Sequence, residues 1–212
     1  MSSKGDLFIV SAPSGSGKTS VANSTLSQVE GLCFSVSYTT RAPRLGEREG
    51  VDYCFVSTDQ FQEMKSTDQL LEWACVYDHY YGTGREFVEQ KRDSGWDVLL
   101  DIDVQGARTV KRAIPESHLV FLFPPSFKTL EQRLRSRGLD DEKVIRSRLE
   151  VARTEIVAYG EYDYLILNEN IEQAVSELKS IVWAGRCRRD RRHGLAQKIL
   201  ASFQEASEED KK

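Results

Sequence analysis

Eight consecutive residues, Ala12-Pro13-Ser14-Gly15-Ser16-Gly17-Lys18-Thr19, stand between an apolar stretch, Asp6 to Ser11, and a segment of helical character from Lys18 to Val29. Such a loop can wrap its backbone around an anion. Several N–H donors converge on phosphate oxygens only where the chain adopts positive φ, and Gly15 and Gly17 supply that freedom. Lys18 would then reach the β- and γ-phosphates of a nucleoside triphosphate, and the Thr19 hydroxyl would ligate Mg2+. The positive end of the following helix adds to the same point. The pattern is the Walker A consensus with Ala12 in place of its first glycine. A second signal lies at Trp96–Asp103, where a buried strand ends in two carboxylates, Asp101 and Asp103, suited to holding the metal or its waters. Asp103-Val104-Gln105-Gly106 also fits the D-x-x-G of GTPases, but the chain has no Asn-Lys-x-Asp to read guanine in their manner. A switch GTPase is therefore disfavoured.

These groups need a scaffold to hold them together. Short runs rich in Val, Leu, Ile and Phe predict further buried strands at Cys33–Ser37, Asp97–Ile102, His118–Phe123 and Tyr164–Leu167, each followed by a helical segment. That alternation predicts an α/β fold, a parallel sheet with helices on both faces. Two segments interrupt it. Tyr38 to Gly84 holds an Arg-rich loop, then strands at Asp52–Val56 and Leu71–Tyr77 around a short helix that Ser57 and Gln60 could cap, and ends in an expected turn, Tyr81-Gly82-Thr83-Gly84. Ser126 to Arg153 is helical and dense in charge, with a hinge expected at Gly138–Asp141. Towards the C-terminus, Ile171, Val175, Leu178 and Val182 form an apolar stripe at helical spacing, expected in the core. The basic cluster Arg186–His193 is read as a solvated helix face or a subunit contact rather than a nucleic-acid patch, and the tail from Glu205 as frayed.

Composition narrows the class. The 212 residues are 40% hydrophobic and 29% charged, with a formal net charge of −4, which suits one globular core and argues against general polyanion binding. The longest purely apolar run, Leu119–Phe123, falls far short of the roughly 20 residues of a membrane helix. Met1–Val10 does not read as a signal peptide. Cys33, Cys54, Cys75 and Cys187 form no C-x-x-C pair, so they are expected to be scattered small hydrophobes in a reducing cytoplasm rather than zinc ligands. A cytoplasmic protein with no membrane and no nucleic-acid partner is the expectation.

The stretch Ser35-Val36-Ser37-Tyr38-Thr39-Thr40-Arg41-Ala42-Pro43-Arg44-Leu45-Gly46-Glu47 closely resembles the monophosphate-binding segment of guanylate kinases. So do Gly50–Val56, Leu71-Glu72-Trp73-Ala74, Tyr80-Tyr81-Gly82-Thr83 and Leu100–Gly106, in order along the chain from about Asp6 to Trp183. Departures are Ala12, which this family tolerates, and Leu139, where a Thr is usual. The C-terminal helix with its basic cluster is similar to the bacterial form. The resemblance implies a P-loop NTPase fold of the nucleoside monophosphate kinase kind. A core domain (1–37, 85–125, 154–212) would carry a small GMP-binding domain (38–84) and a helical lid (126–153). It also implies the reaction ATP + GMP to ADP + GDP with Mg2+, with dGMP as a further acceptor. Alone, Arg41 and Arg44 would read as an exposed charged loop and Glu72 as a surface carboxylate.

Within the resemblance, Arg41 and Arg44 would fork onto the GMP phosphate while Tyr53 and Tyr81 donate phenolic hydrogens. Glu72 would accept from guanine N1–H and its exocyclic amine, Ser37 and Thr83 would offer hydroxyls to the base, and Asp101 and Asp103 would meet Mg2+-bound water or substrate. Lys18 and Arg41 would stabilise the transferring phosphoryl group, joined by the lid arginines Arg137 and Arg148, with Arg133 and Arg146 as possible substitutes. Asn168 would lie at the ATP base or ribose. Leu195, Ile199, Leu200 and Phe203 follow the basic cluster, and a homo-oligomer through that helix is a further expectation. Two rivals remain: a non-catalytic guanylate-kinase-like scaffold, against which the intact Gly15, Gly17, Lys18 and Thr19 speak, and a P-loop kinase with another acceptor.

Overall fold

The computed structural model describes residues 3–76, 78–136 and 141–209. Its larger sheet has five strands: β1 (Leu7–Ser11), β2 (Leu32–Phe34), β7 (Asp97–Asp101), β8 (His118–Phe123) and β9 (Tyr164–Leu167), in the order β2-β7-β1-β8-β9 with every pairing parallel. Both faces of β1 are buried because the two faces meet different helices. Phe8 and Val10 pack with Leu99, Val120 and Leu122 against α1 (Lys18–Leu26) and α7 (Ile171–Arg186). Leu7 and Ile9 pack with Val98, Leu100 and Leu119 against α3 (Arg85–Asp93) and α4 (Val104–Ala113). This double coverage is why the strands read as continuous apolar runs rather than alternating ones.

The smaller sheet is built from β3 (Tyr38–Thr39), β4 (Cys54–Phe55), β5 (Leu70–Val76) and β6 (His79–Gly84), in the order β4-β3-β6-β5. Its helix α2 (Thr58–Ser66) carries the expected capping box: Gln60 N–H donates to Ser57 Oγ at 3.1 Å and Ser57 N–H to Gln60 Oε1 at 2.8 Å. The Tyr81–Gly84 turn is overturned, since these residues are strand β6. Their glycines serve close packing instead of a chain reversal. A Cβ on Gly82 would sit 3.0 Å from the Glu72 carbonyl oxygen, and one on Gly84 2.9 Å from the Tyr38 ring.

Helices α5 (Phe127–Ser136) and α6 (Glu142–Glu155) are held to each other by Leu130, Leu134, Ile145, Leu149 and Ala152, and by the pair of Arg135 with Glu142. The expected hinge falls on residues 138–140, outside the described residues, although Asp141 caps α6 through Val144 N–H at 2.8 Å. In α7, Val175, Leu178 and Val182 are buried as expected, whereas Ile171 at its first position is 46% exposed. The last helix, α8 (Arg189–Glu209), leaves Leu195, Ile199, Leu200 and Phe203 exposed.

The basic cluster is not simply a solvated face. Arg186 Nε donates to Asp97 Oδ2 at 2.6 Å and Arg191 to Asp97 Oδ1 at 3.0 Å, around a carboxylate that is 1% exposed. Arg191 also lies 3.4 Å from Asp6. The Asp97 pairs span some ninety residues of chain and the Asp6 pair about twice that, so nothing local in the cluster announced them. None of the four cysteines is in a disulfide; Cys33 and Cys54 are half-buried, and Cys75 and Cys187 are exposed rather than core residues. Among the described residues no helix is long and apolar enough to cross a membrane.

Candidate active site

The carboxyl ends of the parallel strands gather the phosphate-binding groups. Strand β1 runs into Ala12, and Gly17 caps α1 with φ 90° and no side-chain hydrogen bond, leaving the helix's first N–H groups directed at the loop. Gly15 has φ 93°. A Cβ on Gly15 would also meet Leu134 of α5 at 2.9 Å, and one on Gly17 the Asn168 amide at 2.5 Å, so both glycines are required twice over.

Register explains the charge arrangement. Val10 lies opposite Asp101, which places the β7 carboxylate beside the residues that follow β1. Lys18 Nζ is 2.6 Å from Asp101 Oδ1 and donates to the Ile102 carbonyl at 3.1 Å, while Thr19 Oγ1 donates to Asp101 Oδ2 at 3.1 Å. Burial works against the Lys18 charge, but Asp101 outweighs it and holds the ammonium pKa above its ordinary value. Asp103 N-caps α4, accepting from Gly106 N–H at 2.7 Å.

On the smaller sheet, Glu72 of β5 is 4% exposed, and Thr83 of β6 donates to its Oε1 at 2.6 Å. Burial pushes the Glu72 carboxyl up to about 7, against the opposing hydrogen bond from Thr83. Thr83 itself has no exposed surface. Its hydroxyl proton goes to Glu72, and the oxygen keeps its acceptor lone pairs. Ser37 is half-buried just before β3, and its carbonyl takes Cys54 N–H at 2.9 Å.

The arginine loop folds around one carboxylate. Arg41 Nη2 donates to Glu47 Oε1 at 2.8 Å and Oε2 at 3.0 Å, and its guanidinium lies 5.3 Å from the centre of the Tyr53 ring. Tyr53 meets Tyr81 edge-on at 5.9 Å. Burial, with the Asp101 charge next, raises the Tyr53 phenol pKa. The Arg44 side chain is exposed.

The remaining expected residues belong to the turn after β9 and the two helices α5 and α6, or fall outside the described residues. Asn168, 5% exposed, donates from its amide to the Ser16 carbonyl at 2.6 Å and so braces the phosphate loop. Arg133 of α5 joins it, donating to the Ser16 carbonyl at 3.3 Å and the Asn168 carbonyl at 3.2 Å. Arg148 is half-buried on α6, Arg146 is exposed beside Glu142, and Arg137 lies outside the described residues. Sequence reasoning gave no role to Glu47 or to Glu155. Glu155, at the end of α6, is pushed up to about 7 by burial, with the Lys18 charge opposing that shift and the Asp103 charge adding to it. For Glu47 a signal existed, a carboxylate three residues after Arg44 and six after Arg41. For Glu155 there was none, because its neighbours are remote in sequence.

A phosphate loop at the end of a parallel sheet, with a second small sheet that carries a buried carboxylate and neighbours an arginine loop packed on tyrosine, is the arrangement of a P-loop nucleoside monophosphate kinase. Residues 4–185 match the family model described as Guanylate kinase. A guanylate kinase of Pseudoalteromonas translucida is 46% identical over 183 residues, 86% of this chain and 89% of the relative. One of Xylella fastidiosa is 47% identical over 186 residues, 88% and 91% of the two chains. The crystal structure of guanylate kinase from Anaplasma phagocytophilum superposes with a TM-score of 0.76 at 35% identity, covering 90% of each chain. The chain belongs to the guanylate kinase family.

Proposed function

We propose that this chain transfers the γ-phosphate of ATP to GMP, giving ADP and GDP, and that the residues assembled above carry the reaction. The observation that carries this reading is the pairing of Asp101 with both Lys18 and Thr19 of the phosphate loop, in a chain whose second sheet buries the Glu72 carboxylate. ATP phosphates are assigned to residues 12–19, and the GMP phosphate to Arg41, Arg44, Tyr53 and Tyr81. Guanine is assigned to Glu72, oriented by Thr83, together with Ser37. The transition state of phosphoryl transfer is loose, so the protein mainly positions groups and neutralises charge. Lys18 and Arg41 do so from the fixed part, with Arg148 and Arg137 as their partners from the helical segment. The attacking GMP phosphate is already anionic and needs no general base. Asn168 and Arg133 act through the loop, by holding the Ser16 carbonyl.

The Thr19 hydroxyl with Asp101 and Asp103 forms an all-oxygen set of the hardness Mg2+ prefers, so these residues fit the ion as direct or water-mediated partners. When bound, Mg2+ would neutralise charge on the β- and γ-phosphates. None of the assigned groups addresses a 2′-hydroxyl, so dGMP is included as an acceptor. The reading also includes a cytoplasmic setting and self-association through the exposed apolar residues of α8.

Coupled ADP release with MgATP and each of GMP, AMP, UMP, CMP and dTMP tests the reading. Turnover with GMP alone is expected. Activity with another acceptor would keep the kinase and discard the base site; silence with all five, from folded protein that binds ATP, would favour a non-catalytic scaffold.

Gly106 offers a sharper check of the guanine site. A Cβ there would sit 2.5 Å from Glu72 Oε2, inside contact distance of a buried carboxylate. Gly106→Ala is therefore expected to displace Glu72 and lower kcat/KM for GMP by about a hundredfold, as small misplacements of a positioning group do. The KM for ATP should stay unchanged in the same steady-state measurements.

A further inference from the structure

Two arginines assigned to one phosphate sit on a loop with little regular structure, and a flexible arginine loses rotamer entropy when it is fixed. Something must hold them before substrate arrives. Glu47 contacts both. Its carboxylate takes Arg41 Nη2 on both oxygens, at 2.8 and 3.0 Å, and the backbone N–H of Arg44 on Oε2 at 2.7 Å. Its own N–H donates to the Arg44 carbonyl at 3.1 Å, closing the turn. Arg41 Nη1 is tied to the Ala42 carbonyl at 2.7 Å, and the Tyr53 ring lies beside its guanidinium. The Glu47 side chain is 20% exposed and the Arg41 side chain 11%, so the pair is shielded enough to keep a defined geometry. The Arg41 hydrogen bond holds the Glu47 carboxyl below its ordinary range, which keeps the clamp charged at neutral pH.

We infer that Glu47 is a positioning residue for the acceptor phosphate: it touches no substrate, and it presets the Arg41 side chain and the Arg44 backbone in the arrangement that receives a phosphate dianion. This rests on the reading of Arg41 and Arg44 as the phosphate arginines. The opposing effect is repulsion, because a carboxylate near an incoming dianion disfavours it. The two effects differ in sign, which makes the inference testable.

The experiment compares wild type, Glu47→Gln and Arg41→Met for KM of GMP, KM of ATP, and inhibition by guanosine, which carries the base without the phosphate. Glu47→Gln is expected to raise the KM for GMP about tenfold, the factor that corresponds to roughly 1.4 kcal/mol of lost ordering. The ATP KM and the guanosine inhibition constant should remain within about twofold, a precision well inside one tenfold step. An unchanged or lower KM for GMP in Glu47→Gln, with a raised one in Arg41→Met, would overturn the role of Glu47 and leave the phosphate site standing. An unaffected Arg41→Met would overturn the phosphate site itself. A parallel loss of guanosine or ATP binding in Glu47→Gln would reduce Glu47 to general support of the fold.

Discussion

Lys18→Met is expected to lower kcat by about a thousandfold, the upper range for removing one preorganised charge-stabilising donor. Met keeps much of the side-chain volume but has no charge for the phosphoryl oxygens, and it leaves Asp101 without the partner now 2.6 Å away. The loss should fall mainly on kcat rather than on the GMP KM, because Lys18 belongs to the phosphate loop and not to the acceptor pocket. Rapid-quench single-turnover kinetics with MgATP and GMP would measure it. Near-normal turnover from Lys18→Met would remove Lys18 from the reaction.

Glu72→Gln combines two effects that pull in opposite directions. In the reaction, the amide cannot accept from both guanine donors, and a site built on such bonds rejects the wrong pattern strongly; kcat/KM for GMP should fall by about two to four orders of magnitude. The ATP KM should be unaltered. Wild type should also show a KM for GMP that falls as pH rises from 6 to 8, because a carboxyl raised to about 7 ionises over that interval and only the ionised form accepts both hydrogens. The variant shares every titration of GMP itself, so the difference between the two pH profiles isolates Glu72. For stability the sign reverses. A folded pKa of about 7 against the ordinary 4.5 means that the native state binds this proton more tightly than the unfolded chain does. The contribution is whole below pH 4.5 and is lost progressively up to pH 7, a loss that by pH 8 reaches on the order of 3 kcal/mol at about 1.36 per pKa unit. Glu72→Gln should therefore raise Tm at pH 8 while abolishing most activity, and an unchanged Tm there would count against the buried, charged state of Glu72.

The phosphate loop, β8 and β9 were legible because their signals are local: a glycine pattern between a strand and a helix, and short apolar runs with clear ends. Strand β6 was not, because Gly82 and Gly84 suggest a turn to any local reading, while their purpose is to let Tyr38, Phe61 and the Glu72 backbone approach. The roles of Asn168, Arg133, Glu155 and Arg191 share another cause. Each is defined by a partner that the fold brings from far along the chain, such as the 152 residues between Asn168 and Ser16, and no spacing rule encodes that. Family resemblance could name the arginines of the acceptor loop, but only the folded turn around Glu47 gives a reason for their orientation.

The clamp at the far end of the sheet has a mechanical meaning. Asp6 precedes β1, which delivers the phosphate loop, and Asp97 begins β7, which delivers Asp101. A single guanidinium from the first turns of α8, that of Arg191, stands at the feet of both strands, about 13 Å of extended chain below the groups that handle phosphate. It yokes the two rods together, so their tips move as one. A chain ending before Arg191 would leave buried Asp97 with Arg186 alone and take from Asp6 its arginine partner, and breaking a buried ion pair is costly even where a second partner remains. The disturbance would enter at the base of the very strands whose upper ends must stay in register, so shortening this helix is surgery on the catalytic apparatus, not the removal of an appendage.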